Sequence, residues 1–258
     1  MVQVLNTTRT AAPPYSAFAA VYDSLLGNRL FPEMRRVFEW LARRYGIRFA
    51  SAGDAACGTG TFVRYLRRRG VPLVYGVDRS AAMLHIARSK NQGNGARFLR
   101  QDLTGLSLPR LVDLITCQFD SLNYLIRDED LRQAMLQFRG NLAPGGHLVF
   151  DVVVAPSGRR ALPPRVENAV GPGAAVHRVT TWDPEKAIQT AVVTIRLNKR
   201  LHREVHRQRR YSVGVVRQLL DSTGFDLRGV HDFRTRGPVT AATRRAVFVA
   251  QVRERKRS

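Results

Sequence analysis

The first 154 residues alternate between short apolar runs and stretches in which apolar residues recur with helical period. The run 112–117 is apolar at nearly every position, as expected of a strand that is covered on both faces. Alternation of strands and helices predicts a parallel, doubly wound sheet with right-handed crossovers. Strands are predicted at 48–55, 73–77, 96–100, 112–117 and 147–154, with helices at 61–69, from Ser80 onward and at 128–142.

Two amphipathic helices are predicted ahead of the first strand. The first covers 15–26, where Phe18 and Tyr22 share one apolar face. The second begins at Pro32, a residue favoured in the first turn of a helix, and runs to about position 45. Residues 1–14 contain a Pro-Pro pair and few large apolar side chains, and we expect them to be disordered.

The pattern changes after position 156. Residues 156–173 are rich in Pro and Gly and are predicted to form a loop. Antiparallel strands are predicted at 176–182, 187–197 and 201–211, then a helix at 212–223 and two last strands at 227–233 and 246–252. We therefore expect one α/β domain over 15–252. It has a Rossmann-like, seven-stranded, mostly parallel sheet, an antiparallel β insertion at 156–211 after the fifth strand, and a basic tail at 253–258.

The charge of the chain is unusual. The formal net charge is +22 and the pI about 11.5, which raises the hypothesis of a nucleic-acid partner. The basic residues are almost all arginines, with only four lysines, and they are spread along the chain. Such a bias is typical of a GC-rich genome. A nucleic-acid partner therefore stays open but is not favoured.

The cysteines and the hydropathy of the chain bear on metal sites, disulfides and membrane spans. Cys57 and Cys117 both fall in apolar stretches and show neither metal-ligand spacing nor a disulfide framework, so we expect two buried thiols and no metal site. There is no apolar run of 18 residues, and the N-terminus does not resemble a signal peptide. We expect a cytoplasmic protein without a membrane span.

A glycine-rich turn follows the first predicted strand and leads into a helix. Glycines allow the backbone to approach a ligand closely, and such turns lie where ligands bind to open α/β sheets. The next glycine of a dinucleotide fingerprint would fall at position 63, which is Val63, and the acid Asp54 would repel a pyrophosphate. A sulfonium cofactor that carries an amino group would be attracted instead. The turn reads Asp54-Ala55-Ala56-Cys57-Gly58-Thr59-Gly60-Thr61.

Two further carboxylates follow the second and third predicted strands. Asp78 lies 18 residues after Gly60, where a carboxylate can accept hydrogen bonds from both hydroxyls of a ribose. Asp102 is placed to accept a hydrogen bond from the amino group of an adenine. One such residue alone would be interpreted as a helix cap, but three carboxylates after three successive strands favour a ligand site.

Taken together, these motifs resemble the class I S-adenosylmethionine (SAM)-dependent methyltransferases over roughly residues 15–252. The chain also resembles a bacterial small-molecule subgroup, similar to the N-methyltransferases of deoxyamino sugars. The stretches that carry this resemblance are Tyr22-Asp23, Asp120-Ser121-Leu122-Asn123-Tyr124 and Glu204-x-His206-x-Gln208-Arg209. One departure is that Ala56 stands where the family has its first motif glycine. The motifs that carry the resemblance are Asp54-x-Ala56-x-Gly58-x-Gly60, Asp78, Asp102, Phe119-Asp120-Ser121-Leu122-Asn123-Tyr124 and Leu142-x-Pro144-Gly145-Gly146.

The resemblance implies SAM as cofactor, with S-adenosylhomocysteine as product, and a role for each matching residue. The methionine part would lie along Asp54, Ala56, Gly58, Gly60 and Phe119. Asp78 would hold the ribose, and Arg79, Met83, Asp102 and Leu103 would surround the adenine. The helices at 15–45 would form a lid, closing through Tyr22 and Arg29, and the insertion would cap the acceptor.

Methyl transfer needs alignment and desolvation more than acid–base help, because the sulfonium leaving group is already activated. Where a base is needed, the candidates are His206, Glu204 and Tyr124. Glu204, His206 and Gln208 alternate on a predicted strand and therefore share one face. That face is interpreted either as part of the acceptor pocket or as a hydrogen-bonded structural face.

Three functions stay open at this point. The first is methylation of N or O in a small molecule by a monomer or homodimer. The second is methylation of RNA or protein docked on the Arg-rich insertion, which would require Arg196, Arg200, Arg203, Arg207 and Arg210 to form one face beside the cofactor cleft. The third is a SAM-binding regulatory protein without catalysis. The sequence favours the first.

Overall fold

The computed structural model describes residues 12–155, 162–171 and 173–253, and its strands form two sheets. The larger sheet has seven strands in the spatial order β10-β11-β5-β4-β1-β2-β3. Only β11 runs antiparallel to its neighbours, so the predicted seven-stranded, mostly parallel sheet is confirmed. These strands are β1 Ser51–Ala55, β2 Leu73–Asp78, β3 Arg97–Arg100, β4 Val112–Cys117, β5 Leu142–Val153, β10 Phe225–Asp232 and β11 Arg245–Val252.

Helices cover both faces of this sheet, as expected of a doubly wound fold. On one face, Phe38, Leu66 and Leu84 pack into a single apolar cluster with the strands. On the other face, Phe138 and Leu220 do the same. The helices are α2 Asn28–Arg44, α3 Thr61–Arg68, α4 Ala81–Lys90, α5 Asp128–Asn141 and α6 Val213–Ser222.

Both cysteines are buried free thiols, as predicted. Strand β5 begins at Leu142, earlier than predicted, and its pairing with β4 is irregular between Leu142 and His147. Gly145 and Gly146 therefore lie inside the strand, at this irregularity. Within the described residues, no helix is long and apolar enough to cross a membrane.

The N-terminal helices are continuous rather than separate. Helix α1 covers Ala19–Tyr22, a π-helical turn covers Asp23–Gly27, and α2 follows directly. The N–H of Asn28 bonds to the carbonyl of Asp23, five residues back, and this wider turn joins α1 to α2 without a loop. The prediction that a second helix begins at Pro32 was wrong, since Pro32 lies inside α2.

The second sheet is antiparallel and is inserted between β5 and α6, as predicted. Its strands are β6 Arg165–Gly171, β7 Ala174–Asp183, β8 Ile188–Leu197 and β9 Arg200–Arg209, in that spatial order. The expectation of a loop throughout 156–173 was wrong for β6, while 156–161 and 172 lie outside the described residues. Strand β6 lies at a sheet edge with exposed Val166 and Val170, so it lacks the buried stripe that reveals a strand in sequence.

Glu204 of β9 fastens the N-terminal segment to the second sheet. Its carboxylate is fully buried and accepts hydrogen bonds from the backbone N–H groups of Tyr15 (2.8 Å), Ala17 (2.7 Å) and Phe18 (3.0 Å). Burial alone would raise the pKa of Glu204, but His206 and these N–H donors together hold it below its ordinary value. An ionised carboxylate therefore holds residues 15–18. We call residues 15–27, which include α1 and the π-helical turn, the arm.

The predicted disordered segment 1–14 is described only from Ala12, because residues 1–11 lie outside the described part. Ala12 donates its backbone N–H to the carbonyl of Arg203 at 3.1 Å. At the other end of the chain, the predicted basic tail is described only at Arg253, which pairs with Asp221 (2.6 Å) and Asp226 (2.8 Å). Both described ends are thus attached to the domain.

We predict that Glu204→Gln loosens the arm. The amide nitrogen of the substituted side chain would face backbone N–H donors and leave one of them without an acceptor, at a cost of about 2 kcal/mol. Amide hydrogen exchange should become faster at residues 15–18, and the free energy of unfolding should fall. Glu167→Gln is the control, since Glu167 is a half-exposed residue of the same sheet that pairs with Arg165. Unchanged exchange at 15–18 in the Glu204 variant would contradict this role.

Candidate active site

A cleft of about 1040 Å³, including its open mouth, lies where β1, β2 and β4 end at the same edge of the large sheet. The arm borders it through Tyr15 and Tyr22. Most of the residues singled out in the sequence line this cleft. They are Tyr22, Asp54, Ala56, Gly58, Asp78, Arg79, Met83, Asp102, Leu103, Phe119 and Tyr124. Four of them do not line it: Arg29, Gly60, Glu204 and His206.

The glycine-rich turn between β1 and α3 takes left-handed backbone conformations. The φ angles are +59° at Ala56, +53° at Gly58 and +72° at Gly60. Gly60 is needed for packing rather than for contact with the cleft, because a Cβ there would come within 2.8 Å of the Asn91 side chain and 3.0 Å of Ala87. Arg29 lies on the exposed side of α2, past the π-helical turn. Its predicted role in closing the lid gains no support from this position.

Asp78 lies at the floor of the cleft with both carboxylate oxygens fixed. One oxygen accepts the N–H of Gly58 (2.9 Å) and the other that of Ser80 (2.8 Å). Burial raises the pKa of Asp78 above its ordinary value although both hydrogen bonds act in the opposite direction. Ser80 caps α4 as predicted by accepting the N–H of Met83. The carboxylate is thus oriented by the start of α4 and by the glycine turn together.

Asp54 provides a second buried carboxylate beneath the cleft. It accepts a hydrogen bond from the Thr116 hydroxyl at 2.7 Å. Burial raises the pKa of Asp54 to about 7, and the nearby Asp78 adds to this shift. A cation bound in the cleft would favour the ionised forms of both groups. The floor of the cleft therefore carries two acidic groups, although the chain as a whole is strongly basic.

Asp102 lies at the mouth of the cleft and is half exposed. One of its carboxylate oxygens accepts hydrogen bonds from the N–H (3.1 Å) and hydroxyl (2.9 Å) of Thr104. The other lies 3.9 Å from the Arg79 guanidinium. These contacts cap the short 3-10 turn Leu103–Gly105 and fix the carboxylate beside Leu103.

A polar cluster that the sequence analysis missed holds the arm to the glycine turn. Asp23, in the π-helical turn, accepts hydrogen bonds from the Thr59 hydroxyl (2.6 Å) and from Lys90 Nζ (2.7 Å). Lys90 also bonds to the hydroxyl of Thr61 at 2.6 Å. The sequence analysis named Asp23 only as part of the Tyr22-Asp23 motif and gave it no role. We call this cluster the arm latch.

An ionic cluster fixes the turn after β4 on the opposite side of the cleft. Phe119 and Asp120 both have positive φ, at +57° and +50°. Arg245 binds Asp120 (2.5 Å) and the buried Asp151 (2.7 Å), while Asp151 also accepts the N–H of Asp120 (3.0 Å). Asp120 and Asp151 raise the pKa of Arg245 against the opposing effect of burial. Sequence reasoning missed Arg245 and Asp151, which are far from the recognised motifs.

The three proposed catalytic residues form a chain that only Tyr124 connects to the cleft. The Tyr124 hydroxyl lies 2.8 Å from His206 Nδ1 and bonds to the Tyr15 hydroxyl at 2.9 Å. His206 Nε2 lies 3.1 Å from a Glu204 carboxylate oxygen. Glu204 and His206 are both buried behind Tyr124 on the same face of β9, as the alternation predicted. Neither is placed to touch a ligand in the cleft directly.

Comparisons with known proteins agree with this geometry. A family described as "Methyltransferase domain" matches residues 53–146, which contain the glycine turn, Asp78, Asp102 and the turn after β4. This segment of the chain is similar to that family.

Relatives of the methyltransferase domain are found by sequence and by structure. A protein named as a methyltransferase in Geobacillus sp. (strain WCH70) is 33% identical over 141 residues, 54% of this chain and 57% of that protein. The dTDP-3-amino-3,6-dideoxy-alpha-D-glucopyranose N,N-dimethyltransferase of Streptomyces fradiae is 35% identical over 111 residues, 43% of this chain and 42% of that protein. This chain therefore spans about half the length of the curated relatives it matches.

A crystal structure of an S-adenosylmethionine-dependent methyltransferase from Clostridium acetobutylicum ATCC 824 matches 93% of this chain and 99% of its own, with a TM-score of 0.79 and 22% identity. At this identity, the match supports the fold. It extends beyond residues 53–146 to most of the chain, and so includes elements outside the region of the family match.

We predict that Ala56→Gly stabilises the protein. A non-glycine residue in the left-handed region costs about 1 kcal/mol, which a glycine at φ +59° does not incur. The melting temperature should rise by about 3 °C. Ala55→Gly is the control, because Ala55 is a buried residue of β1 and the same change there should lower the melting temperature. A lower melting temperature in the Ala56 variant would show that its methyl group contributes packing that outweighs the strain.

Proposed function

We propose that the protein is a SAM-dependent methyltransferase that transfers a methyl group to a nitrogen or oxygen of a small-molecule acceptor. The observation that carries this proposal is the Asp78 carboxylate, held rigidly at the floor of the cleft between the glycine turn and the start of α4. A rigid carboxylate there can accept hydrogen bonds from the two ribose hydroxyls of a nucleoside.

The residues of the cleft fit SAM by charge as well as by shape. Asp54 and Asp78 place two buried carboxylates below a ligand, which favours a molecule that carries a sulfonium and an ammonium group. Ala56 and Gly58 expose backbone rather than bulky side chains along the methionine part. Met83 and Leu103 offer apolar contacts to an adenine, and Asp102 is fixed beside them at the mouth.

Bound SAM would supply an activated methyl group, so the chain has to align the acceptor and exclude water. The arm is built for the second task. Tyr15 and Tyr22 border the cleft, while Glu204 holds one end of the arm and the arm latch holds the other. Release of both attachments would open the cleft to solvent.

An acceptor amine attacks through its free lone pair, so only a protonated amine must first lose a proton, and Tyr124 lines the cleft where that nitrogen would lie. The Tyr124 O–H donates to the Tyr15 hydroxyl, which leaves the Tyr124 oxygen to accept a hydrogen bond from His206 Nδ1, while His206 Nε2 faces the Glu204 carboxylate. Burial raises the pKa of Tyr124, which keeps it a phenol. We infer that Tyr124 orients the acceptor atom and that His206 and Glu204 act through it as positioning residues.

A small acceptor is favoured over RNA or protein for two reasons. Arg203 and Arg207 lie on the exposed face of β9, opposite the face of His206, so the arginines do not form one surface beside the cleft. The S. fradiae relative is named for an amino sugar, and an amino group on a sugar-like molecule is the acceptor we infer. A cytoplasmic location stays a prediction.

We predict that Asp78→Asn weakens binding of SAM and of S-adenosylhomocysteine by about 10- to 100-fold, because a charged acceptor of ribose hydroxyls contributes about 1.5–3 kcal/mol. Isothermal titration calorimetry measures both ligands. Asp221→Asn is the control, because it removes the same charge from the surface, where Asp221 pairs with Arg253. Absence of binding to the wild-type protein would refute the proposed function, and equal binding by both variants would refute the role of Asp78.

Binding of SAM should also depend on pH through Asp54. With a pKa of about 7, Asp54 is mostly protonated near pH 6, and an approaching ammonium group lowers this pKa, so binding releases a proton. Affinity should therefore rise between about pH 5.5 and 7 and level off above. Calorimetry in buffers of different ionisation enthalpy measures the released proton, and Asp54→Asn should abolish the release. The same affinity at about pH 6 and pH 7.5 would contradict this coupling.

A further inference from the structure

Gln118 follows β4 and lines the cleft, and its side-chain nitrogen is buried without a hydrogen-bond partner among the described residues. Buried polar groups in folded proteins nearly always have a partner. The backbone carbonyl of Gln118 accepts a hydrogen bond from the Ser121 hydroxyl at 2.7 Å, so the backbone at this position is held in place. The unpaired nitrogen therefore indicates that a ligand in the cleft completes the hydrogen bonds of this side chain.

Two other side-chain donors of the cleft wall are already bonded to protein groups. The side-chain nitrogen of Gln101, a second glutamine of the cleft, donates to the carbonyl of Ser107 at 2.9 Å. The Tyr124 hydroxyl donates to the Tyr15 hydroxyl at 2.9 Å. Gln118 differs from both, because its N–H groups remain available to a ligand.

The strand register places Gln118 at the end of the cleft away from Asp102. In the sheet, β1 lies between β4 and β2, and β3 lies beyond β2. Asp54 of β1 lies opposite Thr116 of β4 and opposite Gly76 of β2. Neighbouring strands are about 4.8 Å apart, so the ends of a row across β4, β1 and β2 are about 10 Å apart. Two residues beyond these partners, one such row is formed by Gln118, Ala56 and Asp78.

The charges of the cofactor decide which of its groups meets Gln118. With the ribose of SAM at Asp78, its amino-acid part would extend over Ala56 toward Gln118, and this part carries an ammonium group and a carboxylate. The buried carboxylates of Asp54 and Asp78 would attract the ammonium group and repel the carboxylate. The carboxylate of the cofactor would therefore point away from the floor, toward a donor without negative charge. The Gln118 nitrogen meets this requirement.

We propose that the Gln118 side-chain nitrogen donates a hydrogen bond to the carboxylate of the amino-acid part of SAM. This rests on the proposed function. The ribose at Asp78 and the carboxylate at Gln118 then anchor two of the three substituents of the sulfonium sulfur. The third substituent is the transferred methyl group, and its direction is fixed once the other two are held. Such alignment is what the reaction needs from the protein.

The test compares two nucleosides that differ in the amino-acid part. S-adenosylhomocysteine carries this part, whereas 5′-methylthioadenosine keeps the adenine and ribose but lacks it. Both are titrated by calorimetry into the wild type, Gln118→Leu and Gln118→Glu. We expect Gln118→Leu to weaken binding of S-adenosylhomocysteine at least 10-fold, because a hydrogen bond to a charged group is lost, and binding of 5′-methylthioadenosine less than twofold. Gln118→Glu should weaken S-adenosylhomocysteine further, since two carboxylates would then face each other.

The control is Gln133→Leu, which makes the same change at an exposed residue of α5 outside the cleft and should leave both affinities unchanged. Melting temperatures close to that of the wild type confirm that the variants are folded.

Three results would overturn the proposal. Unchanged binding of S-adenosylhomocysteine in both Gln118 variants would show that the cofactor does not use this side chain. An equal loss for both nucleosides would show that Gln118 shapes the cleft without contacting the amino-acid part. Tighter binding of S-adenosylhomocysteine by Gln118→Glu would place the ammonium group at this position. Failure of the wild type to bind either nucleoside is a separate outcome, which would refute the proposed function and this inference with it.

Discussion

The geometry of the cleft depends on the buried carboxylate of Glu204. It accepts three backbone N–H groups at the start of the arm and contacts His206, which in turn holds Tyr124. One ionised group thus connects the insertion sheet, the arm and the wall of the cleft. A buried charge is tolerated only when its hydrogen bonds are complete, so displacement of any one partner raises the energy of the rest. This makes closure of the arm and orientation of Tyr124 parts of the same equilibrium.

Much of the fold follows from the sequence because its signals are local. The apolar run of β4 and the alternation of strands with helices required a doubly wound sheet, and strand ends in such a sheet bring Asp54, Asp78 and Asp102 to one edge. Strand β6 was not predicted, because edge pairing uses backbone groups and leaves little side-chain pattern. The alternation of β9 correctly placed Glu204 and His206 on one face. It could not show that the arm would cover that face and exclude both residues from the cleft.

The charge at the floor of the cleft is opposite in sign to the net charge of the chain. The net charge is +22, yet the floor of the cleft carries Asp54 and Asp78, and burial raises the pKa of both. Arg245 of β11, which binds the turn after β4, is neutralised by Asp120 and Asp151. A cationic cofactor would therefore meet acidic groups at the floor of the cleft, and Arg79 at its mouth lies 3.9 Å from the Asp102 carboxylate.

Backbone strain is also present at the cleft. Tyr15, Ala56 and Phe119 line it with positive φ, and Asp120 follows directly. Each such residue costs on the order of 1–3 kcal/mol and persists only where its surroundings fix it more firmly than the strain opposes it. Glu204 fixes Tyr15, and Asp151 fixes Asp120 through its N–H, with Arg245 bridging the two carboxylates. The buried ionic clusters therefore do more than stabilise the fold. They hold backbone turns in conformations that would otherwise relax, and the shape of the cleft is the result.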